Sequence, residues 1–219
     1  MSANPLAPAG LDAHADLSAL AEGVWADSVQ RDSSEITVSG LAVSTLAAEF
    51  GTPLFVLDEQ HVRHRAEQVY GAFHREFSRV GTSATVYYAG KAFLSTEVAR
   101  WVTEAGLNVD VSTGGELAVA LAAGVAPARI GFHGNNKSQE EIDLAVELGV
   151  GTIVLDSAQE IERVAASASR CGRTQRVRLR VNSGVHASTH SFLATAHEDQ
   201  KFGVTLADAP ELVAVIRSH

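Results

Sequence analysis

The segment 107–124 decides the fold, and it reads LNVDVSTGGELAVALAAG. It begins with a short apolar stretch, Leu107–Val111, whose composition is typical of a buried strand. Thr113 and Glu116 follow in the spacing of a capping box, which opens a helix by satisfying two amide donors. Gly124 supplies the left-handed residue that ends such a helix. The segment therefore predicts a strand, a tight turn and a helix in direct succession.

The same order of strand, cap and helix recurs along the chain. Two further capping boxes begin at Ser138 and Ser157, and their helices are predicted to end at Gly149 and Gly172. The predicted strands span residues 85–89, 107–111, 129–133, 152–156 and 176–182. The repeat of about 22 to 25 residues is too short for most doubly wound units and fits a (β/α)8 barrel of about 250 residues. Five strands where eight close a barrel predict an α/β fold, a partial TIM barrel whose sequence stops inside the domain.

Upstream of the barrel the pattern changes twice. Residues 1–30 are rich in Ala, Ser, Pro and Asp and predict a flexible tail. Residues 31–58 predict a short helix ended by Gly51 and then a buried strand, Leu54–Leu57. Residues 59–219 are then the incomplete barrel, and a helix is predicted over residues 208–219.

Composition excludes several classes of protein. The net charge is −9 and no basic run is present, which argues against nucleic acid or an anionic membrane as partner. The single cysteine, Cys171, excludes an internal disulfide, and no CxxC pair exists for a structural metal. No apolar run approaches the roughly 18 residues of a membrane span, and the first residues lack a basic and then apolar signal pattern. We expect a cytoplasmic protein.

Lys91 is the candidate catalytic residue because it follows the strand 85–89, and α/β barrels gather their chemistry at the carboxyl ends of the strands. A desolvated lysine there has a lowered pKa and is nucleophilic enough to form a Schiff base. A solvated loop lysine is the alternative interpretation. Asp110, the stretch His133–Lys137, Asp156 and Arg180 follow the other strands and should lie around the same mouth.

These polar residues leave several interpretations open. Asp110 could pair with a lysine or a protonated ligand, or it could accept hydrogen bonds from loop amides. The stretch 134–138, GNNKS, opens a helix whose amides could hold an anion, although it is not a Walker A loop. Arg180 would face the barrel interior and would need a carboxylate or phosphate partner. His186 and His190 have helical spacing for a metal, but HExxH is absent and Ser183-Gly184 favours a loop, so no metal site is predicted.

Five ordered blocks resemble the barrel-type pyridoxal-phosphate decarboxylases, and diaminopimelate decarboxylases in particular. The blocks are YAGKA at 88–92, DVSTGGEL at 110–117, FHGNNKS at 132–138, RVNSGVH at 180–186 with a following Thr189-His190, and KFG at 201–203. The segment TPLFVLD at 52–58 matches the first strand of that family. The resemblance covers about residues 36–219.

The resemblance implies a cofactor, a reaction and roles for three residues. Lys91 would hold pyridoxal 5'-phosphate through a Schiff base and later return a proton, while Asp110 and Arg180 would line the cofactor pocket. The reaction would be decarboxylation of meso-2,6-diaminopimelate to L-lysine and CO2, in lysine biosynthesis, by a protein that is a homodimer at full length. The residues near Leu54 would join a second, mostly β domain completed by sequence beyond residue 219. The alternatives are a decarboxylase of another basic amino acid, of the ornithine or arginine type, a non-catalytic pyridoxal-phosphate carrier, and a barrel fragment without a ligand.

The family pattern also places several groups downstream of this chain. These are the histidine that stacks on the cofactor ring, the glycine-rich phosphate loop, the glutamate on the pyridine nitrogen, the substrate arginines, and the cysteine and tyrosine supplied across the dimer. No residue here takes those roles, and Gly114-Gly115 is not that phosphate loop. We therefore expect an N-terminal portion of the enzyme that does not decarboxylate alone.

Overall fold

The computed structural model describes residues 19–20, 24–32, 35–182 and 202–219. Their backbone divides into two compact units, Met1–His61 and Val62–His219. Among the described residues, no helix combines the length and the apolar character that crossing a membrane requires.

The first unit contains a small antiparallel sheet followed by one helix. Its strands pair in chain order and are β1 (Val29–Arg31), β2 (Ile36–Val38) and β3 (Leu41–Ala42). The strand β1 begins inside the segment for which the sequence predicted a tail. The helix α1 (Val43–Phe50) ends at Gly51, as predicted, and the Gly51 amide donates to the Ala47 carbonyl oxygen at 2.9 Å.

The prediction of a buried strand at Leu54–Leu57 is wrong for this chain. Residues 54–58 have no regular secondary structure, and Phe55 is 97% exposed. An extended apolar segment becomes a strand only when a neighbouring strand supplies hydrogen bonds and a surface to bury against. Among the described residues, none pairs with this segment in a sheet.

The second unit is built on a parallel sheet whose strands follow chain order, as the partial barrel predicts. The strands are β4 (Tyr87–Ala89), β5 (Asn108–Val111), β6 (Ile130–Phe132), β7 (Thr152–Leu155) and β8 (Val177–Leu179). The helices are α2 (Glu59–Arg79), α3 (Thr96–Glu104), α4 (Gly114–Ala122), α5 (Gln139–Leu148), α6 (Ala158–Cys171) and α7 (Ala209–Ser218). Each predicted strand of the repeat is present, shortened by one or more residues at its ends or interrupted.

Arg180 interrupts the last predicted strand and joins two ladders. Its amide donates to the Leu155 carbonyl oxygen on β7 at 2.9 Å, and its carbonyl oxygen accepts from the Val204 amide at 3.0 Å. The residues on either side of it form β8 and β9 (Val181–Asn182), and β9 pairs in parallel with β10 (Val204–Thr205). Arg180 therefore connects the five-stranded sheet to the separate two-stranded sheet of β9 and β10.

The two faces of the sheet differ in burial. The face toward the helices carries side chains that are at most 1% exposed: Val109, Val111, Ile130, Phe132, Ile153 and Leu155. They form one core with helix residues such as Val98, Leu117 and Ile142, and burial of each such side chain contributes roughly 1.5–3 kcal/mol. Val177 and Leu179 pack on this core, while Arg178 and Arg180 line the opposite face, as the strand alternation predicts. The opposite face is left open and polar.

The helix starts follow the predicted caps with one systematic difference. Ser138 and Glu141 form the complete capping box. In α4 and α6 the carboxylate reaches one residue further back, so the Ser112 amide donates to Glu116 Oε2 at 2.5 Å and the Asp156 amide donates to Glu160 Oε2 at 2.8 Å. The prediction of three complete boxes is therefore wrong, because these two glutamates fix the strand end rather than the cap amide.

Candidate functional site

A cavity of about 820 Å³ opens at the carboxyl ends of β4 to β8. Its volume lies within the range of about 300–1,000 Å³ that small-molecule sites occupy. The lining residues come from the strands and the loops that follow them: Tyr87, Ala89, Lys91, Asp110, Ser112, Thr113, His133, Gly134, Asn135, Asn136, Val154, Arg178, Leu179 and Arg180. The cavity thus brings together the predicted site residues Lys91, Asp110 and Arg180.

Lys91 lies in a short three-ten turn, Gly90–Ala92, that directly follows β4. The turn is closed by the Tyr88 hydroxyl, which donates to the Phe93 carbonyl oxygen at 2.6 Å. Gly90 is buried beside β5, where an added Cβ would come within 2.8 Å of the Asp110 carbonyl oxygen. Lys91 itself is exposed along the open side of the cavity, so the expectation of a desolvated lysine is not met in this chain. Its position at the mouth agrees with the prediction.

Asp110 pairs with a histidine rather than with a lysine. Its Oδ2 lies 3.3 Å from His133 Nδ1, and the two side chains are 22% and 39% exposed. Asp110 is in register with Ala89 on β4 and with Gly131 on β6, and it lines the cavity from β5. The pair places a carboxylate and an imidazole ring together among the residues that line the cavity.

The missing side chain of Gly131 lets two cavity-lining side chains lie against the β6 backbone. A Cβ at this position would meet the Tyr87 ring at 3.1 Å and Asp110 Oδ1 at 3.2 Å. Tyr87 and Asp110 therefore extend over the β6 backbone. Sequence reasoning did not single out Tyr87, although its alternation with Ala89 and Lys91 places it on the inner face.

Two guanidinium groups supply positive charge on the far side of the cavity. The Arg178 guanidinium carbon lies 5.3 Å from the centre of the Tyr87 ring, and that of Arg180 lies 5.1 Å from the centre of the Phe202 ring. These distances are within the range of cation–π attraction. Arg180 Nη1 also lies 3.2 Å from Asp156 Oδ1, which confirms that an inner-face arginine finds a carboxylate partner.

Lys137 does not serve the anion site that the stretch 134–138 suggested. The residue is only 2% exposed, and its ammonium donates to Glu160 Oε2 at 3.0 Å and to the Gly134 carbonyl oxygen. Gly134 has a φ of +102°, and an added Cβ would lie 2.6 Å from the Ser112 carbonyl oxygen. The stretch is thus a tight, internally bonded turn, because its one cation is consumed by a buried ion pair.

In the part of the chain that the structure describes, no group of three or more His, Cys, Asp and Glu side chains converges. The pair His186 and His190 and the loop Ser183-Gly184 lie outside the described residues, as does Lys201. Cys171 ends α6 as an exposed free thiol.

The donor set of the cavity fits pyridoxal phosphate. Lys91 offers a primary amine for an aldehyde, and Arg178 and Arg180 offer guanidinium groups for anionic oxygens. Ser112 and Asn135 add neutral hydrogen-bonding groups on the same wall. These groups surround a volume sufficient for a small aromatic ring with its substituents.

Comparison with known proteins agrees with this chemistry. The family model described as "Pyridoxal-dependent decarboxylase, pyridoxal binding domain" matches residues 62–219. The chain belongs to this family. It is 50% identical over 203 residues to a diaminopimelate decarboxylase of Mycobacterium leprae, covering 92% of this chain and 42% of the relative. It is 44% identical over 199 residues to the diaminopimelate decarboxylase of Corynebacterium efficiens, covering 90% of this chain and 42% of the relative.

Solved structures show the same fold. The crystal structure of diaminopimelate decarboxylase from M. jannaschii superposes with a TM-score of 0.77 at 29% identity, covering 88% of this chain and 45% of that one. The same protein has also been solved in complex with L-lysine. The chain thus spans less than half the length of these relatives, and its open sheet corresponds to part of their barrel.

Proposed function

We propose that the complete protein is a pyridoxal-phosphate-dependent decarboxylase that converts meso-2,6-diaminopimelate to L-lysine and CO2. The observation that carries the proposal is the position of Lys91, whose side chain lines the same cavity as Asp110 and Arg180 at the carboxyl ends of a parallel sheet. Support for the substrate comes from the relatives, which are named diaminopimelate decarboxylases at up to 50% identity, and from the M. jannaschii relative that binds L-lysine.

The residues of this chain divide the work among binding, orientation and proton transfer. The Lys91 amine would hold the cofactor through its aldehyde, and the same amine would be the group that returns a proton to the substrate. Arg178 and Arg180 would attract anionic oxygens, and Asp110, paired with His133, would supply a carboxylate elsewhere in the cavity lining. The cofactor itself, when bound, supplies the electron sink for the carbanion.

The complete protein is also proposed to be a cytoplasmic homodimer. Residues 31–58, with their exposed apolar stretch at Leu54–Leu57, would then belong to a mostly β domain built largely from sequence outside this chain. Gel filtration of the complete protein, with light scattering, would measure its mass. A monomeric mass at working concentration would contradict the dimer.

The activity is tested on the complete gene product. Incubation with pyridoxal phosphate and meso-diaminopimelate should release CO2 and lysine in equal amounts, whereas ornithine and arginine should release far less CO2. If ornithine or arginine is the better substrate, the alternative decarboxylase is correct. Cofactor binding without CO2 from any of the three amino acids would indicate a carrier.

The assignment of Lys91 is tested by two substitutions. Lys91→Ala should abolish the visible absorbance of covalently bound cofactor, because Lys91 is the one lysine among the described residues that line the cavity. Lys91→Arg keeps the positive charge but lacks a nucleophilic amine, so it should lose that absorbance too while retaining weak cofactor binding. Absorbance that persists in both variants would rule out Lys91 as the cofactor lysine.

A further inference from the structure

Asp156 makes three polar contacts, although its own side chain is not among those that line the cavity. It follows β7 and is 6% exposed. Its Oδ1 lies 3.2 Å from Arg180 Nη1, its Oδ2 accepts from the Gly203 amide at 2.9 Å, and its own amide donates to Glu160 Oε2 at 2.8 Å. Both carboxylate oxygens are therefore used, and one of them is used by a residue that lines the cavity.

The carboxylate of Asp156 limits the freedom of Arg180. An arginine side chain has several rotatable bonds, so an unpaired guanidinium at a cavity wall samples many positions. In this structure the guanidinium lies between Asp156 Oδ1 and the ring of Phe202, and the Arg180 side chain is 26% exposed. The contact thus selects one placement of the charge.

The same carboxylate fixes the chain at Gly203, next to β10. Gly203 has a φ of +78°, and a Cβ added to it would lie 3.0 Å from the Arg180 carbonyl oxygen. The Gly203 amide donates a hydrogen bond to Asp156, and the Val204 amide donates one to the Arg180 carbonyl oxygen. These two hydrogen bonds hold the segment at Gly203 against the strand ends at Asp156 and Arg180. Asp156 is in turn held by the Glu160 carboxylate, whose Oε2 is paired with buried Lys137.

We propose that Asp156 is a positioning residue that aims the Arg180 guanidinium into the cofactor cavity. The inference rests on the proposed function, because it assigns Arg180 to an anionic group of pyridoxal phosphate. Asp156 itself is not among the residues that line the cavity. It acts through Arg180, because the ion pair with the Arg180 guanidinium connects Asp156 to a residue that lines the cavity.

The test uses the complete protein and measures the dissociation constant of pyridoxal phosphate by absorbance and fluorescence titration. Asp156→Asn keeps an acceptor for the Gly203 amide but removes the charge that holds Arg180, so it should weaken cofactor binding by about tenfold. The matched control is Asp143→Asn, which removes the carboxylate of a surface pair 2.5 Å from Arg170 and should leave the dissociation constant unchanged. Equal binding by Asp156→Asn and the unsubstituted protein would overturn the inference.

A double-substitution cycle separates positioning from general stability. If Asp156 acts through Arg180, then Asp156→Asn combined with Arg180→Gln should bind the cofactor no more weakly than Arg180→Gln alone. Fully additive losses would show that Asp156 acts elsewhere and would overturn the inference. Circular dichroism checks folding; if Asp156→Asn does not fold, Asp156→Ser, which also removes the charge and keeps a hydroxyl acceptor, enters the same cycle with the same expected outcomes.

Cofactor binding by the unsubstituted protein distinguishes failure of the proposed function from failure of the inference about Asp156. Failure of that protein to bind pyridoxal phosphate would overturn the proposed function and the role of Asp156 together. Tight binding by the unsubstituted protein with unchanged binding by Asp156→Asn would overturn the role of Asp156 alone.

Discussion

The hydroxyl of Tyr88 holds the turn on which Lys91 sits. It donates to the Phe93 carbonyl oxygen at 2.6 Å, across the three residues Gly90–Ala92. Burial raises the pKa of the Tyr88 phenol above its ordinary value of about 10. The hydroxyl therefore stays protonated, and remains a donor, throughout the pH range in which the enzyme would work.

Removal of this hydroxyl should loosen the turn. Tyr88→Phe should lower the free energy of unfolding by about 0.5–1.5 kcal/mol, the net value of one hydrogen bond, and should weaken cofactor binding by the complete protein. Because the folded-state pKa is raised, the contribution of Tyr88 is fully present below the unfolded pKa of about 10 and is lost as the pH rises through the folded pKa. Urea denaturation between pH 7 and 11 measures the difference between the two proteins.

Tyr70→Phe is the control, because it removes the same atom from a tyrosine on α2 whose ring packs against Gly106. A Tyr88→Phe variant that matches this control in stability and in cofactor binding would show that the turn does not depend on the hydrogen bond.

For single residues, the sequence predicted where a side chain lies in the fold better than it predicted the exposure and the contacts of that side chain. Strand ends place Lys91, Asp110 and Arg180 around one mouth, and the structure brings them there. The exposure of Lys91 and the pairing of Asp110 with His133 depend on every side chain around the cavity. Those contacts join residues that are far apart in the chain, so no local pattern contains them.

Two neighbouring helices are tied at their starts by a buried ion pair. Lys137 precedes α5 and Glu160 lies in the first turn of α6, and their charged atoms are 3.0 Å apart. The side chains are 0% and 5% exposed. Glu160 Oε1 has no hydrogen-bond partner among the described residues, while Oε2 accepts from both Lys137 and the Asp156 amide, so Lys137 is the cation that compensates this carboxylate. A buried pair of this kind contributes little net stability but is costly to break on one side.

Loss of one member of this pair should therefore be severe. Lys137→Met leaves the Glu160 charge buried and unpaired, and should lower the free energy of unfolding by about 3–5 kcal/mol. Adding Glu160→Gln should restore part of that loss because the unpaired charge is removed. Urea denaturation of the single and double variants at pH 7 provides the measurement.

The comparison is Glu76→Ala, which breaks an exposed pair with Arg79 on α2 and should cost less than about 1 kcal/mol. If Lys137→Met costs no more than Glu76→Ala, the ion pair does not hold the two helices.

The sequence predicted helix starts correctly where a few neighbouring residues determine them. It was wrong where the outcome depends on contacts with another part of the chain. Ser138, Ser157 and Thr113 were found as caps because a cap needs only the residues of one turn. The direction of the Glu116 and Glu160 carboxylates depends on how each helix meets the preceding strand, which the same sequence pattern does not specify. Leu54–Leu57 failed as a strand because apolar composition does not supply a pairing partner.

The two units of the molecule differ in the number of side chains that they bury. Every side chain of the hydrophobic core belongs to Val62–His219, and none of the described residues of Met1–His61 is buried. Regions with few buried apolar contacts open locally at low free energy, whereas central strands open only when the whole domain unfolds. Stability should therefore be concentrated in the second unit.

Hydrogen exchange followed by mass spectrometry measures this difference. Peptides that cover β5, β6 and β7 should exchange slowest, at the rate of global unfolding, because both neighbours of each strand are present in the sheet. Peptides that cover β1 to β3 should exchange much faster. Equal protection of β1–β3 and β5–β7 would contradict the expectation that stability is concentrated in the second unit.

The bare backbone at Gly131 has a consequence for the size of molecule that the protein can admit. One hydrogen atom at that Cα lets the ring of Tyr87 and the carboxylate of Asp110 lie close to the β6 backbone, where a methyl group would contact them at 3.1 to 3.2 Å. Both of these groups line the cavity. An alanine there would push them by a few tenths of an ångström into the binding space and narrow it without altering a single charge.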